Sequence, residues 1–532
     1  MNGLAGTGSL VGFIARRERV RLAVWILILT VLPIGTARAF LGLYATDQAR
    51  EQLARTVASN PAMVGLLGPV YGSTIGALTA WRVGTLGALL VGLMAVLTVI
   101  RHTREEEETG RRELIGSTVV GRQAPLTAAL TVTVGAGLIL GLLVAGGLMG
   151  TGLPVGGAVA FGAGFAAAAL VFAGLAGLAA QLTEGAGAAR GVAITGLGGA
   201  FLLRVAGDGG EASGLSWLAW LSPLGWFTRL RAFAGERWWV LLLSAGLAGL
   251  LVLAGYGLAA RRDVGAGVLE PRIGPGSASR GLGSPTGLAW RLHRGSLLGW
   301  GIGLAVVGAV FGSVADGIGE LIADNPQMAV IFERLGGERG LTDAFFSAAL
   351  GIVAVVAAAF AVRAALRMRV EEEAGRAEPV LVTATPRLRW AGSHLAFAIL
   401  GPVVILAAAG VTAGATFGAI TGDVGGRTLS VLGAALIQIP AVWVLGGVAT
   451  ALFGLFPRFT ALSWAALVAC LLLGQLGEIL QLPRWALNLS PFTHIPRLPA
   501  PDLELTPLIW LVGIAAAMFA AGLAAFRRRD LD

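Results

Sequence analysis

Long apolar stretches broken by short polar runs recur from the twenties of this chain to its last residues. Each lasts roughly 18–25 residues, the length an α-helix needs to cross a hydrocarbon core. The pattern predicts spans near 22–43, 83–100, 126–149, 157–180, 187–206 and 238–259. A second set follows near 297–316, 344–366, 393–418, 429–453, 461–482 and 508–526. Glycine and alanine fill many positions inside these stretches, and in a membrane small residues let helix backbones pack closely.

The polar positions repeat too. REEEETGRREL, Arg104 to Leu114, returns 265 positions later as RVEEEAGRAEP, Arg369 to Pro379. Arg104/Arg369, Glu106/Glu371, Glu107/Glu372, Glu108/Glu373, Gly110/Gly375, Arg111/Arg376 and Glu113/Glu378 match in register. The same offset relates Asn60-Pro61 to Asn325-Pro326, Thr118 to Thr383 and Arg122 to Arg387. LSP occurs before the last span of each set, at Leu221 to Pro223 and Leu489 to Pro491. Each set closes on a basic tail, AARRD (Ala259 to Asp263) and FRRRD (Phe526 to Asp530). The Gly/Ser/Pro stretch Ile273 to Gly287 has no periodicity and reads as a linker. The expected organisation is a six-helix half over 1–262, a cytoplasmic linker over 263–287 and a second six-helix half over 288–532. An even number of spans per half gives both copies one orientation, so these are parallel repeats about an axis along the membrane normal. Such a pair encloses a central pathway, which points to transport.

Composition agrees. With 56% apolar residues, 13% charged and a mean hydropathy of +0.79, a soluble chain is excluded. The fold class is an all-α polytopic membrane protein of about twelve transmembrane helices. The pI near 11.1 comes from arginine alone, since the chain has no lysine. That usage reflects a GC-rich genome rather than nucleic-acid binding, and no nucleic-acid partner is expected. The single cysteine, Cys470, lies in an apolar span, so no disulfide framework exists. With a cytoplasmic N-terminus, 26 of the 39 arginines fall on inner segments. This bias places both termini and both acidic runs in the cytoplasm of a multi-pass cell-membrane protein. The start of the chain, with Ala37-Arg38-Ala39 after an apolar run, could pass for a cleaved signal. ARRERVRLAVWI around Trp25, however, resembles WRLHRGSLLGWG around Trp300, and an internal copy cannot be a signal peptide.

Both acidic runs read R-x-x-E-x-x-G-x-x-E, a ladder expected to lie along one helical face. Glu107–Arg111 and Glu372–Arg376 have the favourable i,i+4 order. Gly110 and Gly375 weaken a solvated helix, which suggests that another surface approaches the backbone there. One such run is a solvated loop; two in register, each after the second span of its half, favour a protein-contact helix. The copies differ at Arg112/Ala377 and Leu114/Pro379, and Pro379 is expected to end the second helix early.

Here the residues resemble a family. The E-x-x-G-x-x-E helix after the second span looks like the coupling helix of ABC-2 type transporter permeases. Two fused six-span halves, each with this motif and T-x-x-x-R after it, resemble the permeases of bacterial polyketide-antibiotic exporters of the tetronasin-resistance type. The resemblance covers nearly the whole chain and implies an ABC-2, type V exporter-like architecture. It implies ATPase-coupling helices at Arg104, Glu107, Gly110, Arg111 and Glu113, and at Arg369, Glu372, Gly375, Arg376 and Glu378. It also implies an interfacial elbow helix at Arg16 to Arg21, which the amphipathic charge there permits. Ser216 to Phe227 and Arg484 to Ile495 are then short re-entrant or external helices, or else an aromatic belt at the interface.

The energy source lies elsewhere. A P-loop needs a lysine to reach the nucleotide phosphates, and none exists here. No stretch is long enough for a soluble ATPase domain either. The expected partners are two copies of a separate P-loop ABC ATPase that carry ATP and magnesium, the lipid bilayer, and a hydrophobic small-molecule substrate. No cofactor or metal is expected in this chain, and no catalytic constellation is visible: His102, His293, His394 and His494 are scattered. The rival is a proton-coupled secondary multidrug transporter of twelve spans. Such carriers place carboxylates or histidines deep in the membrane, whereas here the span interiors are nearly bare of charge. Asp316, Arg38 and Arg363 lie near span ends. Gln475 and Glu478, before Pro483, are substrate-path candidates, with an interfacial or helix-paired carboxylate as the simpler reading. The expected function is the permease of an ATP-driven exporter of apolar or amphipathic compounds.

Overall fold

The computed structural model describes residues 3–59, 61–116, 119–209, 214–263, 265–269, 276–277, 280–315, 337–476, 483–496 and 505–530. Among these there is no strand. Eleven helical stretches among the described residues, with Val424–Leu455 taken as one, are long and apolar enough to cross a membrane. At the eleventh of the twelve predicted spans stands a shorter apolar helix, Leu462–Leu476. The rest of that span, with Glu478, lies outside the described residues, as do Asn60, Thr118, Asp316, Asn325 and Pro326. The chain divides into two compact units, Met1–Gly274 and Pro275–Asp532.

The first unit begins with α1 (Thr7–Leu43), α2 (Asp47–Ala58), α3 (Pro61–Leu67) and α4 (Ile75–His102). Two short helices follow, α5 (Arg104–Glu108) and α6 (Arg111–Gly116), then α7 (Ala124–Met149), α8 (Val155–Leu182) and α9 (Ala186–Gly209). The unit closes with α10 (Pro223–Arg229) and α11 (Val240–Arg261). The elbow expected at Arg16 to Arg21 is not a separate helix. It is continuous with the first span, because no glycine or proline interrupts the sequence from Phe13 to Leu32. At 37 residues α1 is about 55 Å long, far more than the hydrocarbon core requires.

Close packing rests on small residues, as expected for helices with no hydrophobic drive between them in lipid. Where α7 and α8 pack, a Cβ built at Gly141 would lie 2.5 Å from the Gly162 carbonyl oxygen, and one at Gly162 2.2 Å from that of Gly141. Phe165 and Phe172 of α8 fill the space that Gly87 and Gly92 leave on α4, and the Phe227 ring, with Phe161 behind it, fills that of Gly84. The first LSP serine is a helix cap: the Ser222 hydroxyl accepts from the Leu224 and Gly225 amides, both at 3.2 Å, and donates to the Ala200 carbonyl at 2.6 Å. Short helices therefore do precede the last span, as Ser216–Leu221 and α10.

The second unit holds α12 (Pro285–Val314), α13 (Gly337–Glu373), α14 (Ala377–Leu381), α15 (Arg387–Thr421), α16 (Val424–Leu436), α17 (Ile439–Leu455), α18 (Leu462–Leu476), α19 (Arg484–Leu487) and α20 (Leu505–Arg528). Gly308 and Gly312 of α12 meet the Ala409 and Ala413 carbonyls of α15 so closely that a built Cβ would be 2.2 and 2.1 Å away. Gly454 of α17 and Gly522 of α20 pair in the same manner. Short helices again precede the last span, α19 and Pro491–His494, but Ser490 makes no side-chain cap there.

Candidate functional site

In each unit the acidic run forms a corner rather than a continuous ladder. α5 stops at Thr109 and Gly110 takes φ +71°; α13 runs on to Glu373 and Gly375 takes φ +65°. This left-handed region is open to glycine and costly for other residues. No atom lies within 4 Å of a Cβ built at either position. The glycines serve the turn, and within this chain both positions stand open to any further surface. The chain resumes as α6 and α14 beyond the corner, so the expected single helical face is split. Pro379 does not end a helix: it sits in the first turn of α14, where a proline's missing N–H does little harm.

The split changes the ion pairs. Arg111 lies 3.5 Å from Glu106 and Arg376 lies 2.8 Å from Glu371, each one residue earlier than the i,i+4 partner expected. Glu107 turns inward, its side chain only 2% exposed. It accepts from Arg262 at 2.7 and 2.9 Å and also pairs with Arg104 and Arg112. Arg104, fully buried, reaches the Glu184 carbonyl at 2.5 Å and that of Gly265 at 2.9 Å. Arg262 also donates to Gln181 Oε1 at 2.7 Å, and its own carbonyl accepts from Arg122.

The other glutamates of this run reach further helices. Glu105 pairs with Arg190 of α9 at 2.9 Å, and Glu106 with Arg17 of α1 at 2.5 Å. Glu108 accepts from the first amide of α9, Ala186, at 2.9 Å. Beside them, buried Glu18 of α1 meets His102 at 2.9 Å and Arg101 at 3.3 Å. Burial pushes the Arg262 guanidinium below its ordinary pKa. It pushes Arg112 down to about 10, helped by the nearby charges of Arg262, Arg104 and Arg122. Both remain cations at neutral pH, so a single buried carboxylate is set among several positive charges.

The second corner repeats the central clamp. Glu372, its side chain 3% exposed, pairs with Arg529 at 2.6 Å and with Arg369 at 3.6 Å. The Arg529 carbonyl accepts from Arg387 at 2.7 Å. In both units, then, the motif glutamate holds an arginine of the basic tail, and the arginine of T-x-x-x-R holds that tail's backbone. Arg262, Arg529, Arg122 and Arg387 were visible in the sequence as repeats, but nothing in their spacing joined them to the glutamates. Two further ion pairs of the second corner are local, Arg367–Glu371 at 2.6 Å and Arg369–Glu373 at 2.8 Å.

What faces outward is a different set. Glu108, Thr109, Arg111 and Glu113 are exposed at the first corner; Glu373, Gly375, Arg376 and Glu378 at the second. Gln475 falls at the end of α18 and its side chain, like Glu478, lies outside the described residues. Among the described residues no cluster of His, Cys, Asp and Glu is arranged to hold a metal ion.

Two comparisons with known proteins bear on this arrangement. Residues 282–527 match the family described as "Multidrug efflux system permease Rv1217c, C-terminal domain". The whole chain is 46% identical over 532 residues to the multidrug efflux system permease protein Rv1217c of Mycobacterium tuberculosis (strain ATCC 25618 / H37Rv), covering 96% of that protein.

Proposed function

The chain belongs to the family of multidrug efflux permeases to which Rv1217c belongs, and from that premise we propose that it is the membrane subunit of an ATP-driven ABC exporter of apolar or amphipathic drugs. The observation that carries this reading is the doubled corner. Each acidic run has one side locked by buried ion pairs onto the spans of its own half and the other side exposed and charged. That is the form a mechanical coupling needs: a docking rim outside and a rigid connection within. Two copies of a separate ATPase, holding ATP and magnesium, engage the two rims from the cytoplasm, one under each six-span half. The halves, 1–262 and 288–532, are joined by the linker 263–287, and both termini are cytoplasmic.

A push on the first rim then travels through Glu107 and Arg262 to the foot of α11, and through Glu106 and Arg17 to α1. At the second, Glu372 and Arg529 carry it to the foot of α20. The relative is a multidrug efflux permease, which supports drugs as the cargo class. The Gly- and Ala-rich spans suit a cargo whose bulk is apolar.

The test follows from the geometry. Reversing the buried Glu107 or Glu372 would disrupt the fold as well as any docking, so charge reversal belongs on the exposed rim. The full chain is purified in mild detergent from its own host, and what it retains is identified by mass spectrometry. The expected result is a P-loop ATPase at two copies per chain. It should be lost from the variant Glu113→Arg, Glu378→Arg while the permease stays folded. A chain that comes through alone and moves substrate under a proton gradient overturns the reading in favour of a secondary carrier.

A further inference from the structure

At the end of the first unit opposite its acidic corner, the approach to α11 contains two non-glycine residues in left-handed conformations, Arg231 at φ +53° and Phe233 at φ +64°. Such residues are strained and persist only where their surroundings hold them. Here the surroundings are specific. The Phe233 ring fills the space above Gly76 of α4 and Gly157 of α8, where a built Cβ would come within 2.5 and 2.1 Å of it. The turn closes through the Ala234 amide on the Arg231 carbonyl, at 2.9 Å, and the Arg237 amide on that of Leu230, at 2.9 Å.

Held this way, Arg231 lines a small, partly open cleft with about 30 Å³ of room for the centres of water-sized molecules, its guanidinium 4.4 Å from the centre of the Tyr71 ring. The cleft's polar lining is Trp81, Arg231 and two hydroxyls, those of Tyr71 and of Thr228, the latter donating to the Gly225 carbonyl at 2.8 Å. Trp81 is 8% exposed and its indole Nε1 is buried without a partner; the Nε of Arg231 is likewise buried and unpartnered. Unmade hydrogen bonds of this kind are rare in native proteins and call for an acceptor. Burial pushes the Tyr71 hydroxyl above its ordinary pKa, so it keeps its proton. The nearest buried carboxylate, Asp208, is held by Arg229 at 2.9 Å, and among the described residues no ion pair is formed by Arg231. The remaining wall is apolar, including Phe227, Ala77 and Pro69.

We propose that this cleft binds the acidic head of an amphipathic small molecule. An anionic oxygen accepts from Arg231 and from the Trp81 indole, and the apolar body lies along Phe227 and Ala77. The proposal names a ligand class for the permease and takes from the transport reading only the ligand's fate. Binding is measured without ATP or a partner, so failure here and failure of that reading are separate results.

Equilibrium binding of radiolabelled decanoate to the purified full chain in a neutral detergent, at pH 7.5, is compared with that of decanol. Decanoate should bind saturably, and decanol at least about tenfold more weakly, since a charge-assisted hydrogen bond is worth that much or more. Arg231→Gln should weaken decanoate about tenfold or more. Trp81→Phe, which keeps a ring in place and removes only the donor, should weaken it several-fold and covers the case in which the arginine variant fails to fold. Phosphatidylglycerol in nanodiscs that displaces decanoate, where phosphatidylcholine does not, assigns the natural head to a membrane lipid; no displacement assigns it to a free compound. Equal binding of decanol and decanoate, or unchanged decanoate binding by Trp81→Phe and a folded Arg231→Gln, overturns the proposal.

Discussion

The two acidic corners share one clamp and differ in nearly everything around it. At the first, four consecutive glutamates reach α1, α9 and the tail of α11, and Glu107 alone meets three arginines. At the second, among the described residues, the three glutamates pair with arginines of their own segment, and Glu372 pairs also with Arg529 of the tail. Two substitutions account for much of this. Glu105 corresponds to Val370, which removes the carboxylate that reaches α9, and Arg112 corresponds to Ala377, which removes one guanidinium from the clamp. Duplication kept the connection to the last span and thinned the others. The first corner is thus tied into its unit at several helices, while among the described residues the long-range ion pair of the second is Glu372 with Arg529.

The largest effect should come from removing the centre of each clamp. Glu107→Ala leaves Arg104, Arg112 and Arg262 without their shared counter-charge and should cost about 3–5 kcal/mol, as for other broken buried pairs. Glu372→Ala should cost less, about 1–3 kcal/mol. Thermal unfolding of the two purified variants makes the comparison, and equal losses would break it.

A double-mutant cycle sharpens it next. Glu107→Gln with Arg262→Gln, and Glu372→Gln with Arg529→Gln, should each show a coupling energy of about 0.5–3 kcal/mol. Coupling absent from either cycle would remove the shared clamp. Smaller again, Gly110→Ala and Gly375→Ala should each cost about 1–2 kcal/mol for a left-handed residue. The two costs should be alike, since both sites are open to a Cβ; a much larger loss at one would mean that something else packs there. Least of all, Glu105→Val makes the first corner resemble the second at that position. It breaks an exposed pair with Arg190 and should change stability by less than about 1 kcal/mol. A loss as large as that of Glu107→Ala would show that the tie to α9 matters more than its exposure suggests.

Much of this was legible in one dimension. Span length, the doubling of the chain and the acidic repeat are local or translational features, and they stand in the sequence without reference to contacts. The exception among the local features is instructive. A three-residue ladder predicts one helical face, yet Gly110 and Gly375 take positive φ and turn the chain, so the charges pair one residue out of the expected step. Glycine permits either conformation, and the sequence does not say which one the surroundings select. The elbow failed in the opposite sense: Arg16 to Arg21 carry interfacial charge, but with no helix breaker nearby the backbone simply continues.

The amino-acid sequence by itself determined that the chain spans a membrane, that it is built twice, and where its charge is concentrated, because hydrophobic length and repetition are properties of neighbouring residues and fixed offsets. Only the tertiary structure decided that Glu107 and Glu372 face inward and are held by arginines 155 and 157 residues away. Pairing at that distance depends on how the last span of each half returns to the corner, and no periodicity along the chain records it.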